Sequence, residues 1–383
     1  MSRYDPDLGP VRSALTLPLW LAGFGLVVCA AGAGVCFAVG APCRAAVLAL
    51  LSVVSKAEPG HRRPPEAPRR ARLVPTVRTD PLDRVTVVLL TYNCGHRVRS
   101  VLERLAALGT PVIVVDNGSA DDTRQVVAGV PGAELVALPG NLGAAARNAG
   151  LERASTPYVA FCDDDGWYDR DGLAAAVDLL DAHPRLALVN ARILVGDEQR
   201  LDAISAEMAA SPVPDRARIP GPVLLSFMAG AAIVRRAAYQ EVGGYDERFF
   251  IGGEEETLAV KLVRRGWQLR YAPGVVLQHR PSLANAGSLR HVGLRNTVVN
   301  AWLHRPLRSA LRWTVFSLAD APKNRDFLRG LALILRAVPW IVRERAPMPA
   351  ALDADLRLLD ERRFRVRRRF LTFREDLGRS AYP

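Results

Sequence analysis

The apolar residues of this chain follow three patterns in turn. From Ala14 to Cys43 no charged residue interrupts them, and Leu15–Val39 is an unbroken run made mostly of Leu, Val, Ala, Gly, Phe and Cys. Crossing hydrocarbon takes about 20 apolar residues, so this run predicts a membrane-spanning hydrophobic helix in an N-terminal segment, residues 1–56. The run is too long, and the residues before it too weakly basic, for a signal peptide. A start codon chosen too far upstream is the other way to create such a segment. Residues 57–83 are rich in Pro and Arg and read as an extended linker.

Beyond the linker, short apolar runs alternate with helical spacing. Val85–Leu90 is Val-rich and suits a strand buried on both faces. A helical pattern follows at Val98–Leu108, then strands at Val112–Val115 and Leu135–Leu138 with a helix at Ala120–Ala128 between them. Ala144–Ala154 reads as a helix and Tyr158–Cys162 as a fourth strand. Such alternation predicts an α/β domain over residues 84–280, a mostly parallel sheet flanked by helices. After residue 285 the spacing turns helical: Leu328, Leu331, Leu335, Val338 and Ile341 recur at threes and fours with Arg329, Arg336, Arg343 and Arg345 interleaved. Residues 281–383 therefore predict a basic, largely helical C-terminal extension. Its amphipathic helix either lies in a membrane interface or packs on the rest of the protein. Glu361–Glu375, with seven arginines, reads as a solvated tail.

Ligands of open α/β sheets sit at the carboxyl ends of the strands, and the polar clusters of this domain fall there. Thr91, Tyr92 and Asn93 follow the first strand; Asp116, Asn117, Gly118 and Ser119 follow the second; Asp163, Asp164 and Asp165 follow the fourth. The Asp116 carboxylate is placed to accept a hydrogen bond from a base or ribose, or simply to cap the turn. Three adjacent carboxylates at a buried strand's end repel one another unless a cation or hydrogen bonds hold them. Hard oxygen ligands of this kind suit Mg²⁺ or Mn²⁺.

Charge refines this picture. Lys and Arg exceed Asp and Glu by 51 to 39, giving +12 and a pI near 10.1. Taken whole, that excess points to nucleic acid or an anionic membrane surface. Divided along the chain, residues 1–72 carry nine basic and four acidic groups, residues 73–279 carry 21 and 26, and residues 280–383 carry 21 and nine. The segment with the candidate chemistry is thus acidic and its flanks basic, which argues against nucleic acid and for a membrane partner. The five cysteines form no Cys-x-x-Cys pair, and an odd number fits reduced thiols.

In order along the chain stand Val-Thr-Val-Val-Leu-Leu-Thr-Tyr-Asn, Val-Val-Asp-Asn-Gly-Ser-Ala-Asp-Asp-Thr, Asn-Leu-Gly-Ala-Ala-Ala-Arg-Asn-Ala-Gly, Asp-Asp-Asp and Gly-Gly-Tyr-Asp-Glu-Arg-Phe-Phe-Ile-Gly-Gly-Glu-Glu-Glu. This series resembles family 2 glycosyltransferases over roughly residues 84–280. The resemblance implies a GT-A (Rossmann-like) fold, a nucleotide-diphosphate sugar donor, a divalent cation and transfer with inversion. Thr91, Tyr92, Asn93, Asp116, Asn117, Asn141, Gly143, Arg147, Asn148, Asp163 and Asp164 then match positions around the donor. Asp165, Asp163 and His279, the last after a short strand Val275–Gln278, match the metal motif. Inversion needs a general base opposite the leaving diphosphate, and Glu255, with Glu254 second, matches the acidic pair that opens a helix in relatives. Thr257 departs from the family pattern, where many members carry Asp. Phe227–Ala232 offers small residues and backbone amides beside the sugar.

The resemblance, with the anchor and basic flanks, implies a glycan or glycolipid acceptor, lipid-linked or part of the cell envelope. It also implies a catalytic domain at the inner face of the cytoplasmic membrane, peripheral if the N-terminal segment is a start-site artefact. A nucleotidyltransferase would want a Gly-rich basic loop where Thr91-Tyr92-Asn93-Cys94-Gly95 stands, and a dinucleotide oxidoreductase a Gly-x-Gly-x-x-Gly. The non-enzymatic alternative is a catalytically degenerate, membrane-anchored nucleotide-sugar-binding or scaffold protein. Thr257 is its sign, and the intact acidic clusters argue against it.

Overall fold

The structure, a computed structural model, describes residues 80–281 and 289–361. The expected membrane-spanning run Leu15–Val39, most of the linker, three of the five cysteines and the arginine-rich stretch beyond residue 361 lie outside the described residues. The described residues form two units, one of 80–281 with 347–361 and the other of 289–346.

The first unit is built on β1 (Val85–Thr91), buried along its length except at Leu90. It pairs in parallel with β2 (Val112–Asp116) and β4 (Tyr158–Asp163), while β2 pairs in parallel with β3 (Ala133–Ala137). The register sets Thr91 beside Asp116 and Leu90 beside Asp163. The polar clusters at the three strand ends therefore meet at one edge of the sheet, as the sequence pattern predicts.

The other half of the sheet is mixed. β8 (Ala232–Arg235) runs antiparallel between β4 and β6 (Leu186–Val195), β6 pairs in parallel with β9 (Gln268–His279), and β5 (Gly166–Tyr168) closes the edge antiparallel to β9. The short β7 (Arg200–Leu201) folds back on β6. The expected strand Val275–Gln278 is thus the end of a longer one. The register slips between Ala191/Ala272 and Arg192/Val276, where Pro273 has no N–H for a ladder bond and Gly274 no side chain to pack.

Seven helices lie within residues 80–281: α1 (Gly95–Ala106), α2 (Thr123–Ala128), α3 (Arg147–Arg153), α4 (Arg170–Ala182), α5 (Ala203–Ala209), α6 (Arg236–Glu241) and α7 (Glu254–Arg264). α2 starts later than its spacing predicts, because Asp116–Asp122 is spent on turning, with Gly118 at φ +77°. α1 and α4 cover one face of the sheet, packing Leu102, Leu105, Leu173 and Val177 on Val87 and Leu89. On the other face Leu151, Tyr239, Leu258 and Leu262 pack on Val88 and Phe161.

The second unit contains α8 (Arg290–His304), α9 (Leu307–Asp320) and α10 (Arg325–Glu344), with Val298, Leu318 and Ile334 at its centre. On α10 the fully buried positions are Gly330, Ile334, Ala337, Trp340 and Ile341. The predicted stripe is rotated partly off this face: Ile341 stays buried and Leu331 packs against the core, while Leu328 is exposed. Close approach explains the rotation, since a Cβ on Gly330 would stand 2.9 Å from Leu294 Cδ2. No helix among the described residues is long and apolar enough to cross a membrane. The last helix, α11 (350–361), belongs to the first unit. It brings Leu352 and Leu356 onto Val213, Leu225 and Val260, and its Asp355 takes both guanidinium N–H groups of Arg216.

Candidate active site

The second strand ends on a fully buried carboxylate. Asp116 Oδ2 accepts from Arg124 Nε at 2.6 Å and from the Ser119 amide at 3.2 Å, while Oδ1 has no partner in the protein. A buried acceptor left open in this way is a place for a ligand or a water. Asn117 is used up otherwise. Its Nδ2 donates to Asn141 Oδ1 (2.9 Å) and Gly143 O (3.1 Å), and its Oδ1 accepts from the Leu142 amide (2.8 Å). It therefore shapes the loop that carries Asn141 and Gly143. Gly143 stands at φ +62°, and a Cβ there would collide with Phe250 O, the acceptor for the Ala144 amide at 2.7 Å.

Thr91 is buried, its Oγ1 donating to Val115 O at 3.3 Å, whereas Tyr92 is exposed. Asn93, at φ +49°, accepts the Ala120 amide on Oδ1 at 2.9 Å and ties the first two strand ends together. Asn148 likewise serves the fold. Its Oδ1 accepts from the Tyr239 hydroxyl (2.7 Å) and the Tyr245 amide (3.0 Å), and its Nδ2 donates to Tyr245 O (2.9 Å).

The acidic triplet splits three ways. Asp164 turns back to α1, accepting from Arg97 Nη2 at 2.7 Å and Nε at 3.2 Å, and burial raises its pKa. Asp163 accepts from Arg147 yet keeps 47% of its side chain exposed. Asp165 Oδ1 lies 3.4 Å from His279 Nε2, and this hydrogen bond raises the imidazole pKa against the effect of burial. The ladder holds that pair together: Gly166 is opposite His279, and the Arg280 amide donates to Asp165 O at 2.7 Å. Asp163, Asp165 and His279 line one cleft of about 50 Å³ with Met228, Gly230 and Leu277. Gly230 is required there, because a Cβ would run into the Asp163 carboxylate.

No three of the described His, Cys, Asp and Glu side chains are gathered into a metal-holding group. The donor set around the cleft nevertheless has the chemistry for Mg²⁺ or Mn²⁺. These ions take one or two protein ligands and complete their shell with water and substrate phosphate.

Across from the triplet, α7 begins with Glu254 and Glu255 at its first turn, where the helix dipole favours negative charge. The approach is strained: Phe250 sits at φ 62°, ψ −72° with the Ile251 amide bonded to Phe249 O, a γ-turn, and Gly252 and Gly253 are also at positive φ. Burial, then the charge of Glu255, pushes Glu254 up to about 8. Burial raises Glu255 too, opposed by Arg147 and by a hydrogen bond from the Ala229 amide, and the two carboxyl groups bond to each other. Both carboxyls are thus pushed upward, Glu254 to about 8, which favours a proton held between them. Arg147 faces both sides of the site. It is almost wholly buried, which works against its charge, but Asp163, Glu254 and Glu255 together hold it protonated. Arg147 Nε, the Tyr245 hydroxyl and Glu254 Oε2 have no hydrogen-bond partner in the protein.

The family model described as "Glycosyl transferase family 2" matches residues 86–243. An uncharacterised glycosyltransferase of Mycobacterium bovis is 32% identical over 188 residues, 49% of this chain and 82% of that protein. The chain belongs to glycosyl transferase family 2. A pre-mycofactocin glycosyltransferase of Mycobacterium tuberculosis is 32% identical over 238 residues, covering 60% of this chain but 47% of the relative, so the chain spans about half of that protein's length. An N-acetylglucosaminyl-diphospho-decaprenol L-rhamnosyltransferase of Mycobacterium tuberculosis is 27% identical over 275 residues, covering 60% and 90%. Among solved structures, a mannosyltransferase of Pyrobaculum calidifontis with GDP-Man and Mn²⁺ is 21% identical, covers 88% of this chain and 84% of that one, and has a TM-score of 0.46.

Within this family 2 chain, the sequence patterns bring Asp116, Asp163, Asp165, Glu254, Glu255 and His279 to one edge of the sheet. They do not show that Asn93, Asn117, Asn148 and Asp164 are engaged by other parts of the fold. They also miss Arg97 and Arg124, the partners of Asp164 and Asp116. Arg124, eight residues after Asp116 on the next helix, is the one such partner that local spacing signals.

Proposed function

We propose that the chain transfers a glycosyl group, with inversion, from a nucleotide-diphosphate sugar to a hydroxyl of a lipid-linked or cell-envelope glycan. The observation that carries this reading is the buried guanidinium of Arg147, set between the carboxylate at the end of β4 and the acidic pair that opens α7. A donor-side anion and an acceptor-side base are thereby held in one electrostatic unit. The nucleotide lies along the strand ends, its base or ribose meeting the open Oδ1 of Asp116, and the loop at Asn141–Gly143 borders it. Asp165 and His279, with Asp163 beside them, would hold a divalent cation, which would supply neutralisation of the charge developing on the diphosphate.

Glu255 takes the proton of the acceptor hydroxyl as its oxygen bonds to the anomeric carbon. The bond from that carbon to the phosphate oxygen breaks on the opposite side, and its electron pair leaves with the nucleoside diphosphate. Glu254 keeps Glu255 ionised by holding the shared proton, and the Ala229 amide fixes the direction of the base. The decaprenol-linked substrate in the name of one relative supports the choice of acceptor class.

Glu255→Gln is expected to lower turnover by at least the 10²–10⁴-fold typical of a lost general base, in about the range of 3 kcal/mol or more, while leaving donor affinity unchanged by calorimetry. Near-normal turnover in Glu255→Gln would remove Glu255 from this role and pass it to Glu254.

A further inference from the structure

The second unit presents a surface that the transfer chemistry does not use. Exposed positions on α10 fall at 325, 328, 329, 332, 336, 339, 342, 343 and 344, and the spacing keeps all but the terminal Glu344 on one stripe. Arg325, Arg329, Arg336 and Arg343 share the stripe with Leu328 and Val342, which are 65% and 55% exposed. The two carboxylates of the helix lie off the stripe's centre, although Asp326 reaches Arg329 Nη1 at 3.4 Å. At about 100° per residue, Asp326 and Glu344 fall roughly a third of a turn round from the stripe's centre. There Glu344 accepts from Trp340 Nε1 at 3.1 Å. α9 repeats the composition on its exposed side, where Leu311 and Val315, 44% and 45% exposed, lie among Arg308 and Arg312 with no acidic residue before Asp320.

A face that only needs water usually mixes both signs of charge and keeps large aliphatic side chains apart. This one combines one sign of charge with exposed Leu and Val. Arginine lays its methylene stem along apolar surface and carries the charge outward. An apolar line flanked by such side chains suits the boundary between acyl chains and headgroups when the headgroups are anionic. A carboxylate-rich protein would satisfy the arginines but leave Leu328 and Val342 unburied, so the bilayer is the better fit.

We propose that the α10 stripe docks the protein on an anionic lipid bilayer, Leu328 and Val342 entering the acyl boundary and the adjacent arginines meeting lipid phosphates. The inference goes beyond the transfer reading, because it rests on the surface of the second unit and holds whichever sugar is moved.

Photocrosslinking tests it in a way that does not depend on how else the chain meets a membrane. The full chain carries Leu328→p-benzoylphenylalanine or Val342→p-benzoylphenylalanine, with Ile204→p-benzoylphenylalanine, exposed on the first unit, as the control. Each is irradiated with vesicles of phosphatidylcholine containing phosphatidylglycerol, or of phosphatidylcholine alone, and lipid adducts are read by mass spectrometry. Adducts at 328 and 342 are expected to exceed those at 204 by an order of magnitude in the anionic vesicles. They should fall severalfold without the anionic lipid, at high salt, or in an Arg325→Glu, Arg329→Glu, Arg343→Glu variant that melts like the parent. Protein that sediments with the vesicles but gives no adducts at 328 and 342, or does not sediment at all, overturns the proposal. So do equal yields on zwitterionic vesicles.

Discussion

A guanidinium buried as deeply as that of Arg147 must be matched by negative charge, and here Asp163 and the proton-sharing pair Glu254–Glu255 supply it. Arg147→Met would leave the acidic pair without its counter-charge. Removing one opposite charge at such range moves a carboxyl pKa by about 1–3 units. The shift is upward, so the ionised form of Glu255 would be less populated at a given pH. The acid limb of the kcat/KM profile is expected to move to higher pH, with activity partly recovered in alkali; a limb that stays in place would separate Arg147 from the base. Glu254 offers a stability test. Its folded pKa of about 8 lies above the ordinary 4.5, so between those values the folded chain binds more protons than the unfolded one and stability falls as pH rises. Glu254→Gln removes that slope, and its melting temperature should gain on the parent between pH 5 and 8. The carboxylates of this site are legible in the sequence because strand ends and a helix start announce them. The use of Asn117, Asn148 and Asp164 as clamps is not, since their partners lie 24, 97 and 67 residues away and no local pattern encodes such pairings.

At the scale of elements, β1, β2 and β4 can be read from sequence because each is a buried apolar run, and the half-exposed β3 because it falls between two helical patterns. The mixed half resists such reading. β9 is interrupted by exposed Pro273 and Gly274, so its first part carries no strand signal, and antiparallel β8 inserts between β4 and β6 without any local cue. α10 shows a different failure: Leu marks a helical period, but Gly330 makes the close contact and Ile334, Trp340 and Ile341 fill the buried face, so Leu328 turns outward. The attachment of α11 allows the two kinds of contact in it to be compared. Leu356→Ala should destabilise the first unit by about 2–4 kcal/mol, the cost of an incompletely refilled core site. Arg216→Ala, whose side chain is 64% exposed, should cost less than about 1 kcal/mol. Urea melts of both variants check the order, and a reversal would make the ion pair the main fastening.

Over the whole molecule, charge is divided by task. Residues 73–279 have five more acidic than basic groups, and residues 280–383 have twelve more basic than acidic. An acidic domain repels a nucleoside diphosphate unless cations intervene. Donor binding is therefore expected to require Mn²⁺ or Mg²⁺. A saturating nucleotide sugar at about 100 times its Kd stabilises the folded state by about 2.7 kcal/mol. Thermal shift across a panel of donors should show this gain with Mn²⁺ and lose it in EDTA; a gain that persists in EDTA would assign the diphosphate to protein cations alone.

The pairing of Gly166 with His279 has a consequence for how such a protein changes its substrates. Asp165 lies mid-domain and His279 near its end, yet backbone hydrogen bonds between two strands fix their separation. Glu255 has no such tie, since it arrives on a helix entered through a strained turn. On the proposed roles, the stretch around α7 is therefore the part that homologues can exchange to change the recipient, so long as Arg147 still meets an acidic pair there.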